Sequence, residues 1–259
     1  MSALHDVFAK AKSENRAALI GYLPAGFPTK QGAIDCLKAM IDGGVDIVEI
    51  GLPYSDPVMD GPTIQAAVDI SLANGTRISD VLDTVKAVAE TGAPTLVMSY
   101  WNPIEQFGTQ KFAATMSGNG GVGVITPDLT PEEATDWVLH TDANDIDRVF
   151  LVALSSTPER IATVAKATTG FVYAGAVMGV TGVKEAVSDS VKALVDKTRA
   201  ATDLPIAVGL GVNNAQQVKD IAQYADGVIV GSAFVKAINE GGASAAKSLA
   251  QELAAGLGR

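Results

Sequence analysis

The sequence contains few of the side chains that usually bind metals or form covalent cross-links. Among its 259 residues there are one cysteine, Cys36, and two histidines, His5 and His140. A single thiol cannot form a disulfide within the chain, and this usage is typical of the reducing cytoplasm. Both histidines fall in segments with helical patterning, so we predict that the protein has no metal site.

The chain also lacks an excess of positive charge. It has 19 Lys and Arg against 29 Asp and Glu, a formal net charge of −10, and no basic cluster. This balance argues against nucleic acid or an anionic membrane as the main partner. It still allows a small anionic substrate, because helix N-termini and backbone amides bind phosphate without a basic surface.

Long apolar runs are missing as well. The N-terminus has no apolar signal core. No segment approaches the ~20 apolar residues that a membrane span requires. We therefore expect a cytoplasmic protein that does not insert into a membrane.

The sequence does contain a regular alternation of short apolar strands and helical segments. Eight Val- and Ile-rich strands without polar alternation are typical of a parallel sheet buried on both faces. We therefore predict a single (β/α)8 TIM barrel over residues 1–259, with a short N-terminal helix and extra helices after strands 2 and 8. The alternative is an open doubly wound sheet, which usually has fewer strands and an early phosphate-binding turn. The predicted strands are 18–22, 47–50, 95–99, 121–125, 148–153, 171–174, 205–208 and 227–230.

Helix signals fill the segments between these strands. The pattern predicts helices near 3–13, 29–41, 62–73, 78–91, 109–117 and 188–201. Residues 130–133 have the form of a capping box, with Pro131 at the first helical position. Residues 100–103 follow strand 3 and precede the next helix, and no helix or strand is predicted for them.

The second predicted strand carries a carboxylate inside its apolar run. Side chains two apart on a strand share a face, so Ile47, Glu49 and Gly51 point one way. Active sites of these barrels lie beyond the C-terminal ends of the strands, which places Glu49 at the mouth and Asp60 on the loop above it. Burial should raise the pKa of Glu49 toward that of a general acid or base. Asp60, nearer solvent, should stay ionised and stabilise a positive charge or an N–H group. The alternative is a structural Glu49 satisfied by backbone donors.

Glycines recur after three successive strands in the last third of the chain. They are Gly182 after strand 6, Gly209 and Gly211 after strand 7, and Gly231 with Ser232 after strand 8. Glycine lets backbone amides approach a phosphate closely, and these barrels often bind phosphate on the loops after strands 7 and 8. We therefore predict a phosphate site, the alternative being ordinary turn glycines.

Two other kinds of chemistry are disfavoured. Residues 118–123 match a dinucleotide-binding pattern by letters, but they precede a strand instead of following one. No lysine is the last residue of a predicted strand, which disfavours a Schiff-base mechanism. Acid–base catalysis on a phosphorylated substrate, without metal or lysine, is the remaining prediction.

Five motifs together resemble the α subunits of tryptophan synthase. They are GYLPAGFP (21–28), EIGLPYSDPVMDGPTIQ (49–65), MGVTG (178–182), GLG (209–211) and GSAFVK (231–236). The second motif is long and specific, and the resemblance extends from residue 21 to residue 236. It implies a (β/α)8 lyase of tryptophan biosynthesis that cleaves indole-3-glycerol phosphate to indole and D-glyceraldehyde 3-phosphate in a retro-aldol step.

The resemblance also implies roles for individual residues. Glu49 would transfer a proton to indole C3 and take one from a glycerol hydroxyl, while Asp60 would accept a hydrogen bond from the indole N–H. Thr181 would orient Asp60 when its loop closes. The substrate would also contact Tyr22, Met98, Tyr100 and Tyr173, and the phosphate would be held by Gly182, Gly211, Gly231 and Ser232.

A partner protein is a further implication of the resemblance. Family members pass indole through a tunnel to a β subunit that carries pyridoxal phosphate, so no cofactor is expected in this chain. An α2β2 heterotetramer is implied. Pro53, Asp56 and Asn102 match the side that docks the β subunit.

The chain departs from the family pattern at a few positions. Ala176 and Val177 stand where many members have Ser-Arg, and Tyr22 and Leu210 stand where phenylalanine is common. One rival function is a non-catalytic barrel that only binds and activates a partner enzyme, although the two carboxylates argue against it. Another is a related isomerase or lyase of a phosphorylated indole or ribulose precursor that uses a lysine, but no lysine is well placed.

Overall fold

The strands of the protein form a closed parallel barrel. The computed structural model describes residues 2–175, 184–209 and 211–258. Its strands are β1 (Ala18–Pro24), β2 (Ile47–Gly51), β3 (Thr95–Met98), β4 (Gly123–Ile125), β5 (Asp147–Val149 and Leu151–Ala153), β6 (Val172–Gly175), β7 (Ile206–Gly209) and β8 (Gly227–Val230). Each strand pairs in parallel with its neighbours in the chain, and β1 also pairs with β8.

The fifth strand consists of two segments on either side of Phe150. Its first segment pairs with β4 and its second with β6. The carbonyl of Phe150 accepts a hydrogen bond from the backbone N–H of Tyr173 at 3.1 Å, so the ladder continues across the interruption. The nine short segments therefore make eight barrel strands, and the predicted (β/α)8 fold is confirmed.

Helices connect the strands around the outside of the barrel. They are α1 (Ala3–Ser13), α2 (Lys30–Asp42), α3 (Pro62–Ala73), α4 (Ile78–Ala89), α5 (Trp101–Phe107), α6 (Thr109–Gly118), α7 (Thr135–Asp142), α8 (Pro158–Ala167), α9 (Lys184–Arg199), α10 (Ala215–Ile221) and α11 (Ser232–Gly256). The last helix is interrupted at Gly241 and Gly242, where the backbone is not helical. No helix in the described part of the chain is long and apolar enough to cross a membrane.

Two local predictions were wrong. The Thr130 hydroxyl donates to the Glu133 carboxylate at 2.9 Å instead of capping a backbone N–H, and residues Pro131–Glu133 form only a 3₁₀ turn. Residues 101–107 form the helix α5, which the sequence did not predict. Pro103 does not prevent it, because a proline in the first turn lacks only an N–H that has no partner within the helix.

The apolar side chains form two layers, inside and outside the barrel wall. Ile47 on β2 belongs to the inner layer, whereas Val48 and Ile50 pack in the outer layer against the helices. This confirms the predicted alternation and turns Glu49 inward. Helix α1 closes the lower end, where the ring of Phe8 packs 5.6 Å from that of Phe171. The inner layer below Glu49 is largely apolar, with the buried carboxyl of Asp147 on β5 as an exception.

Candidate active site

A cavity of about 370 Å³ opens at the C-terminal ends of the strands. Glu49 at the end of β2 and Asp60 on the following loop both line it, as the sequence predicted. The other lining residues are Tyr22, Met59, Gly61, Pro62, Ile64, Met98, Tyr173, Gly175, Gly209, Gly211, Ile229, Gly231 and Ser232. A larger cleft of about 700 Å³ lies at the opposite end, beside α1, and contains neither carboxylate.

Glu49 is a buried carboxyl group with an unpaired oxygen. Its side chain is 1% exposed, and Oε2 hydrogen-bonds to none of the described residues. Burial raises the pKa of Glu49 to about 8, and the nearby Asp60 charge contributes to the rise. The group is therefore protonated at neutral pH and can donate a proton. The alternative of a Glu49 satisfied by backbone donors does not fit the unpaired Oε2.

Asp60 is held by a phenol at the mouth of the barrel. The Tyr100 hydroxyl donates to Oδ1 of Asp60 at 3.0 Å and accepts a hydrogen bond from the backbone N–H of Met59 at 3.1 Å. Burial raises the pKa of Asp60, whereas the hydrogen bond from Tyr100 lowers it. The carboxyl is less open to solvent than its loop position suggested, and Tyr100 stabilises its charge.

Two further phenols, Tyr22 and Tyr173, project into the cavity. The hydroxyl of Tyr22 lies over Gly51, and that of Tyr173 lies over Gly209, so closely that a Cβ at either glycine would overlap it. Burial raises the pKa of both phenols well above its ordinary value, and the two carboxylates add to the rise. Both hydroxyls therefore stay protonated and can donate hydrogen bonds.

Backbone and small side chains line another part of the cavity wall. Gly211, Gly231 and Ser232 lie there together, and Ser232 is the first residue of α11. A half-buried helix N-terminus that opens on a cavity next to glycines offers amide donors and a favourable dipole to an anion. Gly182, which the sequence placed with them, lies outside the described residues, and so does Thr181, to which the resemblance gave the role of orienting Asp60.

Several lining residues were not identified from the sequence. Gly175 ends β6 just as Gly209 ends β7, so its position at a strand end was the available signal. Met59, Ile64 and Ile229 are apolar, and nothing in their local pattern separates them from core residues. Met98, which was predicted, lies at the end of β3.

The predicted partner-contact residues lie outside the cavity. Asp56 and Asn102 are exposed, whereas Pro53 is buried in this chain alone. The Asn102 side-chain amide donates to the hydroxyl of Tyr54 at 3.3 Å, and the Tyr54 ring packs 5.6 Å from that of Tyr100. Asn102 is thus linked through two tyrosines to Asp60.

The cavity offers acid–base groups and hydrogen-bond donors. Its lining includes no lysine and no histidine among the described residues. No group of three or more His, Cys, Asp or Glu side chains in the described part of the chain could hold a metal ion. A protonated Glu49 beside a carboxylate held by a phenol is suited to proton transfer on a substrate whose positive charge or N–H group Asp60 can bind.

Comparisons with known proteins identify the family. The family model described as tryptophan synthase alpha chain matches residues 8–257. Tryptophan synthase alpha chains of Mycobacteroides abscessus and Nocardia farcinica are each 52% identical over 256 residues, covering 99% of this chain and 97% and 96% of those proteins. A structure of Mycobacterium tuberculosis tryptophan synthase is 47% identical with a TM-score of 0.93, covering 99% of this chain and 98% of that one. The alpha subunit from Legionella pneumophila str. Paris has a TM-score of 0.92 at 28% identity, covering 100% and 99%. The chain belongs to the tryptophan synthase alpha chain family.

Proposed function

We propose that this chain cleaves indole-3-glycerol phosphate to indole and D-glyceraldehyde 3-phosphate, with Glu49 as the acid–base catalyst and Asp60 as the ligand of the indole nitrogen. Membership of the family makes the chain a lyase of tryptophan biosynthesis, as its motifs predicted. The observation that supports the residue roles is the pairing in one cavity of a protonated Glu49 with an Asp60 held by Tyr100.

The order of proton transfers follows from the state of the two carboxyl groups. Protonated Glu49 gives its proton to indole C3, which places a positive charge on the ring nitrogen. Asp60 accepts a hydrogen bond from that N–H and stabilises the charge. The Glu49 carboxylate then takes the proton of the hydroxyl on the carbon attached to the ring. The carbon–carbon bond breaks, its electron pair returns to the ring, the hydroxyl carbon becomes an aldehyde, and Glu49 is protonated again.

The rest of the cavity fits the other end of such a substrate. Gly211, Gly231 and Ser232 would bind the phosphate through backbone amides and the N-terminus of α11. Tyr173 lines the same cavity, and the Glu49 charge raises the pKa of its phenol more than the Asp60 charge does, so we assign it to the glycerol part. Met98 and Tyr100 would line the indole end. We assign Thr181 and Gly182, by their motif, to the loop that completes the site.

The alpha chain name implies a β partner, and we propose that it receives the indole. Pyridoxal phosphate would belong to that partner, so this chain would need no cofactor, and the assembly would be an α2β2 heterotetramer in the cytoplasm. Exposed Asp56 and Asn102 and the neighbouring Pro53 would face the partner. Size-exclusion chromatography with light scattering on the chain mixed with its β subunit tests the stoichiometry.

Replacing Glu49 by Gln tests the reaction directly. Glu49→Gln keeps the shape of the side chain but cannot give and take the proton, so we expect kcat for indole release to fall at least 10³-fold, roughly the contribution of a general acid–base group. Substrate binding should change little, because the residues that would bind the phosphate, Gly211, Gly231 and Ser232, are unchanged. Exposed Glu252 on α11 provides the matched control, and Glu252→Gln should keep parental turnover. Near-parental turnover of Glu49→Gln would refute the mechanism.

A further inference from the structure

The phenol of Tyr22 is a polar group of the cavity to which the proposed reaction gives no chemical role. Tyr22 on β1 lies opposite Glu49 on β2, and its side chain is buried. Its ring passes Gly231, where a Cβ would come within 3.1 Å of Cδ1, and its hydroxyl lies over Gly51. The ring therefore spans the mouth of the barrel from the start of α11 to the end of β2. A side chain at Gly51 would overlap the hydroxyl, and one at Gly231 would press closely on the ring.

The Tyr22 hydroxyl faces the cavity. None of the described residues hydrogen-bonds to it. Solvent can satisfy this hydroxyl while the cavity is open. When an aromatic ring displaces the solvent, an unpaired buried hydroxyl would weaken binding. An indole ring offers an N–H donor and no strong acceptor, so the phenol needs an acceptor from the protein, and the carboxyl groups that line the cavity with it are those of Glu49 and Asp60.

Charge and geometry favour Asp60 over Glu49 as that acceptor. Burial raises the pKa of Glu49 to about 8, so this group is protonated at neutral pH. Burial also raises the pKa of Asp60, but the hydrogen bond from Tyr100 opposes that rise and favours the ionised form. The charge of Asp60 raises the pKa of the Tyr22 phenol more than that of Glu49 does, and for Tyr173 this order is reversed. Tyr100 bonds Oδ1 of Asp60, and none of the described residues bonds its Oδ2. A carboxylate readily accepts donors on both oxygens.

We propose that Tyr22 is a further positioning residue of the reaction. With an indole ring in the cavity, its hydroxyl donates a hydrogen bond to Oδ2 of Asp60. Two phenols, those of Tyr22 and Tyr100, then hold this carboxylate ionised against the indole N–H. The inference rests on the proposed function, in which Asp60 binds the indole nitrogen.

Tyr22→Phe tests the inference, because it removes the hydroxyl and keeps the ring between Gly51 and Gly231. Indole release from indole-3-glycerol phosphate is measured across a range of pH with the full chain. We expect kcat/KM at neutral pH to fall roughly tenfold, the usual effect of losing a hydrogen bond to a charged group. We also expect the acid limb of the kcat profile, which reports the substrate complex, to move to higher pH, because a donor that favours ionised Asp60 in that complex is lost.

Tyr173→Phe is the matched control, since it removes a cavity phenol that interacts more strongly with Glu49. Its acid limb should stay at the parental pH, whatever its rate. Parental kcat/KM in Tyr22→Phe overturns the inference, and so does a loss of activity with an unmoved acid limb. Asp60→Asn distinguishes a failure of the proposed function from a failure of the role of Tyr22. If Asp60→Asn stays active, the proposed function fails. If it is inactive while the acid limb of Tyr22→Phe does not move, only the role of Tyr22 fails.

Discussion

The buried carboxyl of Glu49 should make the stability of the folded chain depend on pH. Burial raises the pKa of Glu49 from 4.5 to about 8. Below pH 4.5 the group is protonated in both the folded and the unfolded chain. Between these values only the unfolded chain releases the proton freely, so rising pH favours unfolding. The stabilisation is complete at low pH and is lost as the pH rises through about 8.

The magnitude follows from the difference between the two pKa values. Each unit by which the folded pKa exceeds the unfolded one is worth about 1.4 kcal/mol. From about pH 5 to about pH 8 the parent chain should therefore lose about 3 kcal/mol of unfolding free energy through this one group. Glu49→Gln is neutral at every pH and has nearly the same shape, so it should escape this loss.

Urea unfolding at a series of pH values measures the difference. Trp101 and Trp137 lie beside the barrel wall with their rings 5.7 Å apart, and their fluorescence reports loss of packing. The unfolding free energy of Glu49→Gln minus that of the parent should grow steadily with pH. The Glu252→Gln control removes an exposed carboxyl and should show no such slope. A pH-independent difference for Glu49→Gln would mean that Glu49 titrates normally in the folded chain, and the acid–base argument would fail.

Three other predictions concern the same cavity. In pH–rate measurements, kcat/KM for indole release should fall as the pH rises through about 8, because Glu49 loses the proton that it must donate; a flat alkaline limb would contradict this. Tyr100→Phe should lower kcat/KM roughly tenfold and move the acid limb to higher pH, because Asp60 loses its phenol donor; an unmoved limb would contradict the contact. Gly209→Ala should lower the urea-unfolding free energy by about 1–3 kcal/mol, because the new Cβ overlaps the hydroxyl of Tyr173. Restoration of that stability in a Gly209→Ala/Tyr173→Phe double variant would confirm the cause.

The barrel and its catalytic end could be predicted from the sequence because they depend on local patterns. Apolar runs without polar alternation predicted the parallel strands. The two-residue spacing of Ile47 and Glu49 predicted that both side chains lie on the same face of β2, which is the inward face. The position of Asp60 on the loop after β2 then followed from the general rule for these barrels. That residues 1–259 fold as a single domain stays a prediction.

Contacts between distant parts of the chain could not be predicted in this way. Tyr100 holds Asp60 from a position 40 residues later, and no local period signals that bond. The predicted capping box failed because a sequence motif does not determine which group a hydroxyl bonds in the folded chain. Residues 130–133 have the required letters, but the Thr130 hydroxyl donates to the Glu133 side chain, and the α-helix begins only at Thr135.

Glycine usage around the phenols shows how the cavity itself is built. Gly51 and Gly209 end β2 and β7, and each leaves room for a tyrosine hydroxyl from another strand. Taken singly, each looks like an ordinary strand-end glycine, so neither predicts the phenol above it. Side chains in their place would push Tyr22 and Tyr173 out of the positions in which they face Glu49 and Asp60. A buried carboxyl group with an unpaired oxygen makes the folded chain less stable as the pH rises. Glu49 nevertheless lies beside two phenols whose positions require glycine at residues 51 and 209. Catalysis therefore explains this buried carboxyl group better than packing does.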